Sequence, residues 1–187
     1  MIIGLDLDNV LVDNSATMQA LVLLGRSKNE IKPTDWEHST YDKELKEKVI
    51  ELYTDPVFMN QLPAFPGVRE RLEYWKWQRH KLVIITARAE VLRAGTEFMV
   101  QALFPKLISA VRLVGRGRPK KELLVQEKVS VWVDDAPHGV LEARSLGLRT
   151  FLVRNDNTLY NHSLDAEKEG IEVVASLERV FLAEEHA

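Results

Sequence analysis

The sequence predicts an α/β domain: a central parallel sheet with helices packed on both of its faces. Three observations lead there. From residue 81 onward, short apolar runs alternate with amphipathic segments, the pattern of successive strand–helix units that build a parallel sheet. Several of those runs end directly in a carboxylate or a hydroxyl, and open parallel sheets collect their ligands beyond the carboxyl ends of the strands. The chain has 187 residues, which suits one core domain carrying a small insert.

Each element has a local reason. Residues 2–7 read as a short buried strand ending in acids. Residues 15–24 read as a helix that Gly25 stops. The polar stretch 26–41, with Pro33 and Trp36, reads as loop or insert. Residues 42–53 form a charged amphipathic helix pattern, with Leu45, Val49 and Leu52 on one face. Pro56, Pro63, Pro66 and Gly67 punctuate the chain. Pro66 suits a helix start, so a helix is expected over 66–79. Trp75 and Trp77 fall on opposite sides of it, so one of them must be exposed or at a contact. Then follow a strand at 81–85, a helix at 89–103 closed by Pro105, a strand at 110–114 and a short helix at 120–127. A strand at 129–133, a helix at 137–146 ended by Gly147 and a strand at 149–153 complete the alternation. The polar segment 154–170 is expected to wrap the surface, 171–175 to add a strand and 177–185 to close the chain with a helix.

Composition narrows the function classes. With no cysteine, disulfides and thiolate metal sites are excluded. That is compatible with a reducing compartment, and the cytoplasm is the expected location. No apolar run reaches the length of a membrane span, and the first residues lack the pattern of a secretory leader. A net charge of −3 gives no global attraction to nucleic acid, so no stable nucleic-acid partner and no membrane partner are expected.

The chemistry gathers at the predicted strand ends. Asp6 and Asp8 follow the first strand, Thr86 ends the second and Asp134-Asp135 follows 131–133. Alone, Asp-x-Asp reads as an Asx-rich turn and Thr86 as a polar strand end. Lys120 and Lys121, after Gly115, Gly117 and Pro119, read as a solvated basic pair. Taken together they suggest a metal and phosphate site. Magnesium takes hard oxygen ligands, a carboxylate can attack phosphorus, and an ammonium at a helix start offsets anionic charge. His38, His80, His138 and His162 show no zinc spacing, and no Gly-Lys-Ser/Thr follows Gly115-Arg116-Gly117-Arg118 to make a phosphate loop.

In this order the residues resemble the four motifs of the haloacid dehalogenase superfamily, over roughly residues 1–153. The resemblance implies a Rossmannoid three-layer α/β/α core from residues 1–13 and 68–187, with a small helical cap inserted at 14–67. It implies Asp6 as nucleophile and Asp8 as general acid and base. Mg²⁺ would be held by Asp6, the main-chain carbonyl of Asp8 and Asp135, with Asp134 in support. Thr86, Ala87, Arg88 and Lys120 would bind the phosphate, with Lys121 as the alternative lysine. The aspartate at position 8 points to phosphatase chemistry rather than dehalogenation, because it can protonate an alkoxide and then activate water.

The insert resembles the cap of the 5′(3′)-deoxyribonucleotidases, through Trp36, the helix pattern at 42–53, and Phe58 followed by Leu62-Pro63-Ala64-Phe65-Pro66-Gly67-Val68. That likeness assigns Trp36 and Phe58 to a nucleobase, the alternative being that both pack cap against core. One departure stands out: Thr86-Ala87-Arg88 occupies the place where that family has Ser and Pro after the threonine. A hydroxyl is lost and a guanidinium gained. The expected activity is therefore Mg²⁺-dependent hydrolysis of a phosphomonoester, first of all a nucleoside or deoxynucleoside 5′-monophosphate. Sugar or polyol phosphates, polynucleotide 3′-phosphates and a catalytically silent binding protein stand as alternatives. A homodimer is compatible with the sequence.

Overall fold

The computed structural model describes residues 1–15, 47, 51, 54–115, 117–156, 158 and 161–182. Every strand expected from the sequence forms. β1 (Ile2–Leu5), β2 (Lys81–Thr86), β3 (Ala110–Leu113), β4 (Val131–Asp134), β5 (Arg149–Val153) and β6 (Glu172–Val174) make one sheet in the order β3-β2-β1-β4-β5-β6. All its pairings are parallel. The helices are α1 (Pro56–Met59), α2 (Val68–Trp77), α3 (Arg93–Leu103), α4 (Lys121–Gln126) and α5 (Pro137–Ser145). The fold is thus the expected α/β Rossmannoid arrangement. Among the described residues no helix is long and apolar enough to cross a membrane.

Strand alternation divides the core between the two faces of the sheet. Ile3, Leu5, Leu82, Ile84, Val131, Val133, Phe151 and Val153 join the larger cluster, which α2 and α3 cover with Leu72, Trp75, Met99 and Val100. Val83, Ile85, Trp132 and Leu152 join the smaller one, under Leu124 of α4 and Val140 and Ala143 of α5. Each large apolar side chain so buried contributes roughly 1.5–3 kcal/mol. In β1 the residues on the smaller-cluster face are Ile2 and Gly4, and the Trp132 indole lies against Gly4.

α2 begins two residues later than expected because Pro66 and Gly67 precede it as a turn, Gly67 taking φ 74°. Trp75 is wholly buried and Trp77 is 78% exposed, as helical spacing requires. The expected helix 89–103 opens with a 3₁₀ turn, Glu90–Leu92. Two expectations fail. Among the described residues of the closing segment, 177–182, a 3₁₀ turn, Leu177–Arg179, forms in place of a helix, and Val180 is extended. Leu177, Val180 and Leu182 all reach the core, and a chain leaving a single turn can bury that spacing where a continuous helix would rotate one of them away. Nor is 154–170 merely a surface wrap, since Thr158, Asn161 and Ala166 are buried. Chain segments 16–46 and 183–187 lie outside the described residues, so the helices expected at 15–24 and 42–53 fall largely there.

A methyl group on Gly4 would stand 2.7 Å from Trp132 Cε3 and 2.9 Å from Val129 Cγ1. Gly4→Ala is expected to destabilise the fold by about 1–3 kcal/mol, lowering the thermal midpoint by roughly 3–10 °C. Circular dichroism melts of the two proteins test this; an unchanged midpoint would mean the indole yields freely.

Candidate active site

β1 runs straight into Asp6, whose backbone N–H donates to Val133 O at 2.9 Å and so sets it beside β4. The chain then turns sharply. Asn9 takes φ 60°, a left-handed conformation that asparagine tolerates, and the N–H groups of Leu11 and Val12 both donate to Leu7 O at 2.9 and 3.0 Å. Leu7, Val10, Leu11 and Val12 enter the core, while Asp6 and Asp8 stay at the sheet edge. Thr86 closes β2, nearly inaccessible, and its Oγ1 accepts the Arg88 N–H at 3.3 Å. β4 ends in Asp134, and Asp135 follows it.

The carboxylates of Asp6, Asp134 and Asp135 each bring an oxygen to one point, all within 4.8 Å of one another, and all three residues are buried. Lys120 Nζ stands 3.0 Å from Asp6 Oδ1 and 3.0 Å from Asp134 Oδ2. Lys120 is itself held: its N–H donates to Glu142 Oε2 at 3.0 Å, and its ammonium lies 5.0 Å from the centroid of the Trp132 ring. Asp134 is the most heavily tied acid. Its Oδ2 accepts from Lys120 Nζ at 3.0 Å and Trp132 Nε1 at 3.1 Å, and its Oδ1 accepts from Ala136 N–H at 2.9 Å. It abuts the first turn of α5 at Gly139, where any Cβ would come within 2.0 Å of Asp134 Oδ2. Glycine is required there for the carboxylate to sit against the helix.

One ammonium cannot neutralise three buried carboxylates. Burial pushes the Asp6 carboxyl up to about 7; Lys120 pulls it down, while Asp134 and Asp8 push it further up. Burial, then Asp6 and Asp134, hold Asp135 well above the usual carboxylate range against Lys120 and Asn9. Burial works against the charge on Lys120, but Asp134 and Asp6 outweigh it and raise its pKa above that of an ordinary lysine. Asp6 Oδ1 is buried without a well-directed hydrogen bond despite its ion pair. Uncompensated charge, an orphaned oxygen and an all-oxygen donor set fit a hard divalent cation.

The geometry decides several points that the sequence left open. Lys120 is buried on the acids whereas Lys121 is exposed. The Asp134 carboxylate is occupied by its three donors, whereas among the described residues the Asp135 carboxylate accepts from Asn9 Nδ2, on its Oδ2 at 3.1 Å. Arg88, expected at the phosphate, is forked onto Asp8. Its Nε donates to Oδ2 at 2.9 Å and its Nη2 to Oδ1 at 2.7 Å. Phe58 is partly buried and packs against the larger core cluster; Trp36 lies outside the described residues.

Sequence reasoning missed Asn161. Its wholly buried Nδ2 donates to Asp135 O at 2.7 Å and Val153 O at 2.8 Å. Arg154 reaches the same loop through Asn161 O and Leu164 O at 2.9 and 3.0 Å. No local pattern marks an asparagine in a polar loop as a clamp on a strand end. Beyond β1, β5 and β6 a cavity of about 380 Å³ opens, lined in part by Asn9, Val10, Phe65, Asn155 and Ser176.

The model of the family described as 5′ nucleotidase, deoxy (pyrimidine), cytosolic type C, matches residues 1–169. The chain belongs to this family. This nucleotidase-family chain is therefore a hydrolase of phosphoric monoesters, built on the haloacid dehalogenase fold. A haloacid dehalogenase-like hydrolase from Bacteroides fragilis, so assigned, superposes with a TM-score of 0.68 at 15% identity, covering 96% of this chain and 99% of that one. The haloacid dehalogenase-like family hydrolase of Streptococcus pneumoniae gives 0.62 at 16%, covering 92% of each chain. A provisionally assigned β-phosphoglucomutase from Thermotoga maritima gives 0.59 at 25% identity, covering 95% of this chain and 94% of that one. No curated protein matches the sequence.

The buried acids make the metal-free protein's stability depend on pH. With its folded pKa near 7 and a reference value of 3.8, Asp6 keeps a proton in the folded state that the unfolded chain has already lost. Its contribution to stability therefore falls as pH rises from about 4 to about 7 and then levels off. In chelator, Asp6→Asn is expected to melt above wild type at pH 8, with the gap closing toward pH 4. Scanning calorimetry across that range tests it; a gap independent of pH would mean that Asp6 carries its charge without strain.

Proposed function

We propose that this chain hydrolyses nucleoside 5′-monophosphates, deoxyribonucleotides foremost, through a covalent phosphoryl-Asp6. The observation that carries the reading is the meeting of Asp6, Asp8, Thr86, Lys120 and Asp135 at one sheet edge from four separate parts of the chain. Asp6 attacks phosphorus: its oxygen bonds to phosphorus as the bond to the leaving oxygen breaks. Asp8 gives that oxygen a proton. Water then attacks the phosphoryl group and Asp8 takes its proton. The bond to Asp6 breaks, and the free carboxylate and inorganic phosphate result. Such proton transfer is typically worth about 10²- to 10⁴-fold. Thr86 Oγ1 has its own hydrogen left to donate to a phosphate oxygen, and the Ala87 backbone lies beside it. Lys120 offsets negative charge on nucleophile and phosphate together.

Asp6, the main-chain carbonyl of Asp8 and Asp135 would hold a Mg²⁺ ion, with Asp134 steadying Lys120 and the turn beneath. When bound, that ion supplies charge stabilisation for the anionic phosphoryl group and relieves the repulsion among the acids. The nucleotide reading rests on the family match over residues 1–169 and on the resemblance of the insert. The cavity beside Asn9 supports a substrate with a body larger than its phosphate. Thr86-Ala87-Arg88 in place of the family's usual motif favours a second reading, another small phosphomonoester such as a sugar phosphate.

Phosphate release is expected from deoxynucleoside 5′-monophosphates with Mg²⁺, and none after exhaustive chelation or with Asp6→Asn. A panel including ribonucleotides, 3′-phosphates and sugar phosphates tests this. Faster turnover of a sugar phosphate would overturn the nucleotide reading, and full activity in chelator would overturn the metal.

Trp36→Ala and Phe58→Ala are expected to lower kcat/KM for nucleotides by roughly ten- to a hundredfold while sparing an aryl phosphate, as loss of base stacking would. Steady-state kinetics on both substrates decide: equal losses would mean that these rings only hold the insert to the core.

A further inference from the structure

The Arg88 side chain is turned onto Asp8. Its side chain is 2% exposed, against 18% for Asp8. The Nε–Nη2 edge of the guanidinium faces the Asp8 carboxylate, with one donor for each oxygen, at 2.9 and 2.7 Å. Its remaining nitrogen, Nη1, donates to Thr96 Oγ1 at 3.2 Å, and Thr96 is wholly buried in α3. The backbone at Arg88 is tied as well, because its N–H donates to Thr86 Oγ1. Each of the three guanidinium nitrogens thus donates inside the protein, using three of its five N–H donors, and the side chain is almost sealed from solvent. A planar, bidentate fork fixes both the position and the plane of a carboxylate, which a lysine in the same place cannot do.

We propose that Arg88 is a positioning residue for Asp8: it fixes the plane of the proton-transferring carboxylate, with Thr96 as its anchor, and does not bind substrate phosphate. This rests on the reading of Asp8 as general acid and base. The phosphate then depends on Lys120 and Thr86. Arg88 lies 80 residues from Asp8 in the chain, so β1 and β2 must pair before the carboxylate is aimed.

The two roles separate by leaving group. For a nucleoside monophosphate the departing alkoxide needs a proton, so a misaimed Asp8 slows the first chemical step. For 4-nitrophenyl phosphate the departing phenoxide leaves without one. Because kcat/KM reports only events through the first irreversible step, the ratio of the two substrates isolates that proton. Arg88→Lys and Arg88→Gln are expected to lose about ten- to a hundredfold in kcat/KM on the nucleotide. On the aryl phosphate they should lose less than about threefold, with inhibition by inorganic phosphate unchanged. In Asp8→Asn, adding Arg88→Gln should cost nothing further on the aryl phosphate. Thr96→Val, which keeps the fork and removes the anchor, should show the same selectivity in weaker form, and serves if the Arg88 variants do not fold.

Equal losses on both substrates with weakened phosphate inhibition would overturn the proposal and make Arg88 a phosphate ligand. No loss on either substrate would overturn it as well. A wild-type protein that releases phosphate from neither substrate would instead overturn the reading of Asp8 on which it rests.

Discussion

Three buried carboxylates share one ammonium at the carboxyl edge of the sheet, and much of the surrounding structure answers that imbalance. Asp6, Asp134 and Asp135 meet within 4.8 Å. Like charges at such spacing, away from water, are unfavourable unless hydrogen bonds or cations meet them. Asp134 is met in full, by Lys120, the Trp132 indole and the Ala136 backbone. Asp135 is met in part, by Asn9. Asp6 is left with an ion pair but no well-directed donor on Oδ1. The unmet charge is thus concentrated on Asp6.

The same imbalance explains features far from the acids. Gly139 must lack a side chain for Asp134 to lie against α5, and Gly4 must lack one for Trp132 to lie flat on β1 and reach Asp134 with its N–H. Glu142 holds the Lys120 backbone, and Asn161 holds the carbonyl of Asp135. A second ion pair, Arg88 with Asp8, is kept apart from the first. Asp6 and Asp8 therefore lie against different buried cations, Lys120 being shared between Asp6 and Asp134. Different parts of the chain supply their surroundings: β2 leads to Arg88 beside Asp8, and Lys120, just before α4, lies beside Asp6.

Much of this was legible in one dimension. The strand runs, their order and the residues that end them are local patterns, because a strand ends where alternation or an apolar run ends. Asp6, Asp8, Thr86 and Asp134-Asp135 could be named for that reason. The opposed faces of Trp75 and Trp77 follow from helical geometry alone, whereas α2 opened two residues later than the expected start at Pro66. The closing segment misled, because Leu177, Val180 and Phe181 are spaced for one face of a helix, whereas burying Leu182 with Leu177 and Val180 takes a turn followed by extended chain.

What the sequence determined by itself was the α/β class, the parallel strands and the carboxylates at their ends. These depend on spacing within a few residues. Only the tertiary structure decided the partners: Lys120 over Lys121 beside Asp6, the internal bonds of Asp134, Asn161 under Asp135, and Arg88 on Asp8. The contacts at Asp8 and Asp135 join residues 80 and 26 positions apart. A buried charge takes whichever counter-group the fold brings within hydrogen-bond reach, and that proximity is set by how the strands pair, not by any pattern along the chain.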